Sequence, residues 1–220
     1  MHIGMLGATG PAGRALAARL ASVGHHVTLG SRSKYRAMEV RDTIVEKWPG
    51  LDLDIVAGDN VEAAKAELVI IATPWDAAAE TAASVAKELQ SKIVVCMSNA
   101  LSKVGREFQP LVPPRGSVAA SVQAEVRSAY VVASMHHVPA KELADLAEPV
   151  VSDVLICSDH KEATNTVAAI IGDVPGLRPL DAGELSNATA IEAFTAVLLQ
   201  LNVRYKTRVA ITFTGLDDSI

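Results

Sequence analysis

Seven residues, Gly7 to Gly13 in "GATGPAG", constrain this chain more than any others. They follow the apolar run "HIGML" and open "GPAGRALAARLASVGH", where Leu16, Leu20 and Val23 recur at helical spacing. Gly7, Gly10 and Gly13 therefore stand in a G-x-x-G-x-x-G pattern where a strand passes into a helix. Gly7 permits a tight turn, Gly10 lets the backbone approach a pyrophosphate, and Gly13 allows close helix–strand packing. The free N–H groups and dipole of the helix then face an anion. Pro11 lacks an N–H and suits the first helical position, beside Ala12, while Thr9 adds a hydroxyl.

The rest of the N-terminal half repeats the alternation. "HVTLGS", "LDLDIVAG", "ELVIIATP" and "SKIVVCMSN" read as strands. Between them lie a helical stretch to about Trp48, a short helix from Asn60 to Ala66 and an Ala-rich helix. The strands are continuous apolar runs, so both of their faces are buried, and the alternation predicts an α/β fold with a doubly wound parallel sheet. Hydrophobic residues make up 50% of the 220 while aromatics are only 4%, as expected for an aliphatic core of one domain or a domain with a smaller partner. After Asn99, "ALSKVGREFQPLVPPRGS" reads as a loop or domain edge. Strand-like runs return at "AYVVASMHH", "SDVLICSD" and "GLRPLDAG". The chain then closes on a long helical stretch, "ELSNATAIEAFTAVLLQLNVRYKTRVAITF", with Leu185, Ser186 and Asn187 supplying capping side chains.

The end of the second strand carries the chemistry of cofactor choice. An acid there bonds the ribose of NAD and repels a 2′-phosphate. This chain has Ser31, Arg32, Lys34 and Arg36 instead. A hydroxyl, a bidentate guanidinium and two further cations suit NADP(H). Cations at a helix start otherwise oppose the dipole. Thr73, Pro74 and Trp75 end the fourth strand and border the nicotinamide half, although Trp75 equally suits packing at a helix start. Ser98 and Asn99 end the fifth strand, in reach of the ring or its acceptor. His136 and His137 follow another strand, read as one buried and one exposed, and line the site. No carboxylate or cysteine stands at ligand spacing beside them, so no metal is expected.

Absences narrow the class. A net charge of −5 argues against a general nucleic-acid surface. Cys96 and Cys157 sit in apolar runs without CxxC spacing and read as buried thiols. No apolar run is long enough to span a membrane, and Met1 leads straight into the first strand, so a cytoplasmic protein is expected. None of Tyr35, Tyr130 and Tyr205 has Lys four residues on, which removes the short-chain dehydrogenase pair. An NADP site without an obvious proton-handling pair suggests an acceptor that takes hydride directly.

Together, "MLGATGPAGRALAARLASVGHHVTLGSR", "ATPW", "MHHVPA", "GLRPLDAGELSN" and "IEAFTAVLLQLN" resemble the NADPH-dependent coenzyme F-420 reductases, with "LRPLDAG-x-LSN" the most specific of these motifs. The resemblance implies a Rossmann-like dinucleotide domain over 1–135 and a small carboxyl-terminal α/β domain over 136–220. It further implies hydride exchange between NADP(H) and the deazaflavin coenzyme F-420. Thr9, Ser31, Arg32 and Arg36 match the family's NADP-phosphate residues. Ser98, Asn99, His136 and Pro139 match its deazaflavin pocket, with His136 the candidate acid. A homodimer using the last helix is implied as well. The deazaflavin bears a phosphodiester and a glutamate tail, which the loop cations Lys103, Arg106 and Arg115 could hold. Two other readings stay open, an NADPH-dependent flavin or ferric reductase and a non-catalytic NADP sensor.

Overall fold

The computed structural model describes residues 1–216. The last residues of the second expected domain, 217–220, lie outside the described residues. The first turn sets the frame. β1 (His2–Leu6) ends at Gly7, whose φ of +65° is strained for any L side chain. α1 (Pro11–Ser22) begins with Pro11 at its first position, as the sequence predicts. A Cβ on Gly13 would lie 2.8 Å from Cα of Ala8, so glycine is what lets the helix lie against the turn.

β2 (His26–Ser31), α2 (Lys34–Lys47), β3 (Ile55–Asp59) and α3 (Asn60–Ala64) complete one half of the sheet. β4 (Leu68–Ile71), α4 (Trp75–Ser84) and β5 (Ile93–Cys96) begin the other. The segment read as a loop instead contains an antiparallel hairpin, β6 (Leu101–Val104) and β7 (Glu107–Pro110). It turns at Gly105, where φ is +61°, and packs on the C-terminal helix, with the Phe108 N–H donating to Oε1 of Gln200 at 3.2 Å. Sequence reading missed it because its four-residue strands are polar and its partner Gln200 lies 92 positions from Phe108.

α5 (Val118–Glu125) leads to β8 (Tyr130–Ala133), which joins the main sheet. The sheet order is β3-β2-β1-β4-β5-β8, parallel throughout. The order reverses between β1 and β4, opening a crevice at the carboxyl ends of these strands. α6 (Ala140–Leu143), β9 (Ser152–Ile156), α7 (Lys161–Gly172) and β10 (Leu177–Asp181) follow. β9 and β10 form a parallel pair, joined to the main sheet by a two-way bridge between Ala133 and Cys157. Aliphatic side chains of α7 share a core with Leu16 and Leu20 of α1 and with Leu68 and Ile70 of β4.

The C-terminal helix α8 (Ala188–Tyr205) departs from expectation at both ends. Leu185 to Asn187 form a 3-10 turn rather than a cap, and the Asn187 amide donates back to the Ala182 carbonyl at 2.6 Å. The helix stops at Tyr205 because Lys206 is left-handed, with φ of 51°. The β-branched stretch beyond it runs extended instead of helical, since its backbone pairs with Asp153.

Within α8, Glu192 is 4% exposed and accepts the N–H groups of Val118 and Ala119 at 2.9 and 3.1 Å. Its carboxylate thus occupies the amino end of α5. Burial pushes its pKa up to about 7, against the pull of those two N–H groups. Its unfolded value is near 4.5, so the folded state holds the extra proton between these limits. Stability from this group is therefore full below pH 4.5 and is lost as pH rises towards 7, by about 3 kcal/mol. Urea unfolding across pH 4.5–8 should show that decline, and E192Q should flatten it. An unchanged slope in E192Q would remove the assignment.

Candidate functional site

The crevice between β1 and β4 opens into a cleft of about 540 Å³. Gly7, Thr9 and Gly10 form its floor, Ser31 and Arg32 one end, and Thr73 and Pro74 the exit of β4. A Cβ on Gly10 would meet nothing within 4 Å, so this backbone is open to a ligand. Pro11, Ala12 and Gly13 lie behind it in α1: Pro11 is exposed, Ala12 packs against the core and Gly13 is buried. Asn60 also lines the cleft. Its Oδ1 accepts the Gly7 N–H at 3.2 Å, which stitches the strained turn to the start of α3. Sequence reading passed over Asn60 because the contact spans 53 positions.

The basic run divides. Ser31 is buried and its Oγ accepts the Ser33 N–H at 3.2 Å, while the exposed Arg32 lines the cleft. Lys34 turns away to Glu62 at 2.8 Å, which holds its ammonium pKa above the ordinary value. Arg36 pairs with Glu39 at 3.0 Å. Neither lines the cleft, so Arg32 is the cation that does. The opposite wall comes from α4, through Ala77, Glu80, Thr81 and Ser84, none of which carries a motif. Trp75 starts α4 and packs against the core on the other face of the sheet.

A second cavity, of about 380 Å³, lies at the exits of β5 and β8. It gathers Asn99, His136 and Pro139, as the sequence predicts, with Leu101, His137 and Lys141. Thr195, Leu198, Leu199 and Asn202 enter from one face of α8, and Arg208 and Val209 from the chain beyond it. The i, i+3, i+4, i+7 spacing of those helical residues was a legible signal, but nothing local says which face of α8 turns inward. Two hydrogen bonds converge on the His136 carbonyl, from Nδ2 of Asn99 at 2.8 Å and Oγ1 of Thr195 at 3.2 Å. Ser98 lines neither space. Its Oγ donates to the Thr73 carbonyl at 2.7 Å, fixing the rim of the cleft to the rim of the cavity.

Met135, with φ of 64°, turns the chain so that His136 leaves the sheet into this cavity. Both histidines are buried, not one, at 4% and 5% exposure. His137 donates through Nε2 to the Asp153 carbonyl at 3.0 Å, and burial lowers its pKa. Neither ring nitrogen of His136 has a hydrogen-bond partner among the described residues, nor does Oγ1 of Thr73. Burial, with help from neighbouring His137, pushes the His136 imidazole down to about 3. Burial thus favours the neutral His136 ring, a hydrogen-bonding group, over the imidazolium at neutral pH. Among the described residues no cluster of His, Cys, Asp or Glu could hold a metal ion. Cys96 and Cys157 are free and buried, and burial pushes both thiols up to about 12.

The geometry is thus a cleft at the sheet's switch point beside a second cavity, with orphaned buried polar atoms at the edge of each. Residues 2–100 match the family model described as "NADP oxidoreductase coenzyme F420-dependent". The chain is 35% identical over 223 residues to the F420-dependent NADP reductase of Methanocaldococcus jannaschii, covering 99% of this chain and 100% of that one. It is 32% identical over 224 residues to the F420-dependent NADP reductase of Methanothermobacter marburgensis, with coverage of 99% and 100%. A solved structure from Arthrobacter superimposes with a TM-score of 0.79 over 96% of this chain and 99% of the other, at 24% identity, a likeness of fold. With two relatives above 30% identity along its whole length, the chain belongs to the F420-dependent NADP reductase family.

Proposed function

We propose that this protein is an oxidoreductase that transfers hydride between NADP(H) and coenzyme F-420. The observation that carries the reading is the adjacency of the two spaces. The Ser98–Thr73 hydrogen bond joins their rims in a chain whose full-length relatives bear that activity in their names. The cleft takes the nicotinamide cofactor and the cavity the deazaflavin. The two coenzymes supply the chemistry, a hydride passing between ring carbons. The protein's part is position and dryness.

Gly7, Thr9 and Gly10 bind the pyrophosphate at the start of α1, with Pro11, Ala12 and Gly13 shaping the helix behind it. Ser31 and Arg32 read the 2′-phosphate, while Lys34 and Arg36, neutralised by Glu62 and Glu39, add little to the field there. Thr73 and Pro74 frame the nicotinamide end, with Trp75 packed behind them at the start of α4, and the unpartnered Thr73 hydroxyl is free to meet its amide. Asn99, His136 and Pro139 border the acceptor ring, for which His136 is a neutral hydrogen-bond donor, and Ser98 acts behind them by tying the segment to the Thr73 carbonyl. In this reading residues 1–135 carry NADP(H) and residues 136–220 the acceptor. A cytoplasmic location, where both coenzymes are supplied, belongs to the same reading. So does a homodimer. α8 exposes an apolar stripe of Phe194, Val197 and Tyr205, the first two 40% and 50% exposed, with the partly buried Leu201 between them. That stripe would close against a second copy.

The direct test follows the visible absorbance of the oxidised deazaflavin with purified protein. NADPH should bleach it, NADH only weakly, and FMN in place of F-420 should give no turnover. Turnover with FMN alone would make this a flavin reductase, and NADPH binding without turnover of either acceptor would make it a sensor. R32A should raise the KM for NADPH roughly tenfold or more while moving that for NADH far less, as expected for loss of a charge-assisted contact. K34A should do less, because Glu62 already holds that ammonium. The His136 ring should keep the NMR shifts of a neutral imidazole from pH 5 to 8; a titration near 6.5 would show that the pocket is wet. V197E should halve the solution mass measured by light scattering, and an unchanged mass would remove the α8 interface.

A further inference from the structure

One wall of the second cavity is made by the chain's own tail. After the left-handed turn at Lys206, the N–H of Val209 donates to Oδ1 of Asn202 at 2.7 Å. The strap then runs along β9. The Asp153 N–H donates to the Ile211 carbonyl at 2.8 Å, and the Phe213 N–H donates to the Asp153 carboxylate at 2.5 Å. Arg178 closes the clamp, bonding Asp153 through two nitrogens at 2.7 and 2.8 Å and the Phe213 carbonyl at 2.7 Å. A tail held at this many points has a fixed path.

Arg208 projects from that strap into the cavity wall, where its Nε forms an ion pair with the Glu142 carboxylate. Glu142 is itself anchored from the dinucleotide side. Buried Arg19 of α1 donates to the carbonyls of Glu142, Leu143 and Glu148 at 2.9, 3.2 and 3.1 Å, and also to that of Asp145. The Arg208 side chain is still 54% exposed, and among the described residues its two Nη groups make no hydrogen bond. Lys141 lines the same cavity, so two cations face one carboxylate at this mouth, in a chain whose net charge is −5. Of the loop cations expected to hold an anionic tail, Lys103 lies over the Phe108 ring, 5.8 Å from its centroid. Neither it nor Arg106 lines the cavity.

We propose that Arg208 is a specificity-determining residue, held by the strap and Glu142 so that its free Nη face binds an anionic group, phosphate or carboxylate, on the tail of the acceptor. The inference rests on reading this cavity as the deazaflavin site. Planar, paired donors match either oxyanion and give the contact direction as well as charge.

The test compares three acceptors with NADPH: F-420, its phosphate-bearing form without glutamates, and the bare ribityl deazaflavin. In R208Q the ratio of kcat/KM for F-420 to that for the bare deazaflavin should fall roughly tenfold, with R208K keeping part of it. E142Q should lower the ratio in the same direction by a smaller factor, since it loosens the guanidinium without removing its charge. A loss shared by the phosphate-bearing form assigns the contact to phosphate, and a loss confined to F-420 assigns it to the glutamates. An equal change on all three acceptors, or an equal rise in the KM for NADPH, would overturn the inference and leave Arg208 only a clasp for the strap. Wild-type protein that reduces none of the acceptors would instead overturn the functional reading, and this inference with it.

Discussion

A Cβ at Gly7 would sit 2.2 Å from Cγ2 of Thr73, so the first turn and the exit of β4 are in contact with no room between them. That closeness is possible only for a residue without a side chain in a left-handed conformation, and it is backed by the Asn60 hydrogen bond to the same peptide. From it the site follows outward. Thr73 is fixed by the turn, Ser98 by the Thr73 carbonyl, and Asn99 by the chain that continues from Ser98 to the His136 carbonyl. The cleft and the cavity are joined through these few contacts. A shift at the first turn would therefore be felt at the second cavity.

The second cavity is built differently from the cleft. Its walls come from the exits of β5 and β8, from α8 and from the strap, which are separated by up to about a hundred positions. Backbone carbonyls hold much of it together, beside the Arg208–Glu142 and Arg178–Asp153 ion pairs of the strap. The His136 carbonyl accepts from two side chains, and buried Arg19 donates only to carbonyls among the described residues. Burial lowers its guanidinium pKa, with Asp145 acting in the opposite direction. A charge kept inside in this way needs every N–H engaged, because an unpaired buried cation is costly. Arg19 consequently reports on packing between α1 and the segment after α6, and that packing gives Glu142 its place.

Charge at the surface of the site is arranged by pairing. Lys34 and Arg36 read as phosphate ligands in one dimension, yet acids reached through the fold or one helical turn away have claimed both. Arg32 and Arg208, at opposite ends of the composite site, keep exposed guanidinium nitrogens.

The sequence by itself determined the parallel sheet, the turn at Gly7, Gly10 and Gly13, the helix after it and the absence of an acid at Ser31. Each of these rests on neighbours within one strand–turn–helix unit, where spacing and residue type suffice. It also placed Asn99 and His136 at strand exits, which a sheet of this kind turns towards ligands, while Pro139 came from the family resemblance alone. Only the tertiary structure decided which cations stay unpaired, that both histidines are buried and neutral, that the segment after Asn99 folds as a hairpin, and that Thr195 and Arg208 reach the same cavity. Those outcomes depend on contacts across tens of residues and on exclusion of water. Neither leaves a periodic trace along the chain, because burial is a property of what the rest of the molecule brings alongside.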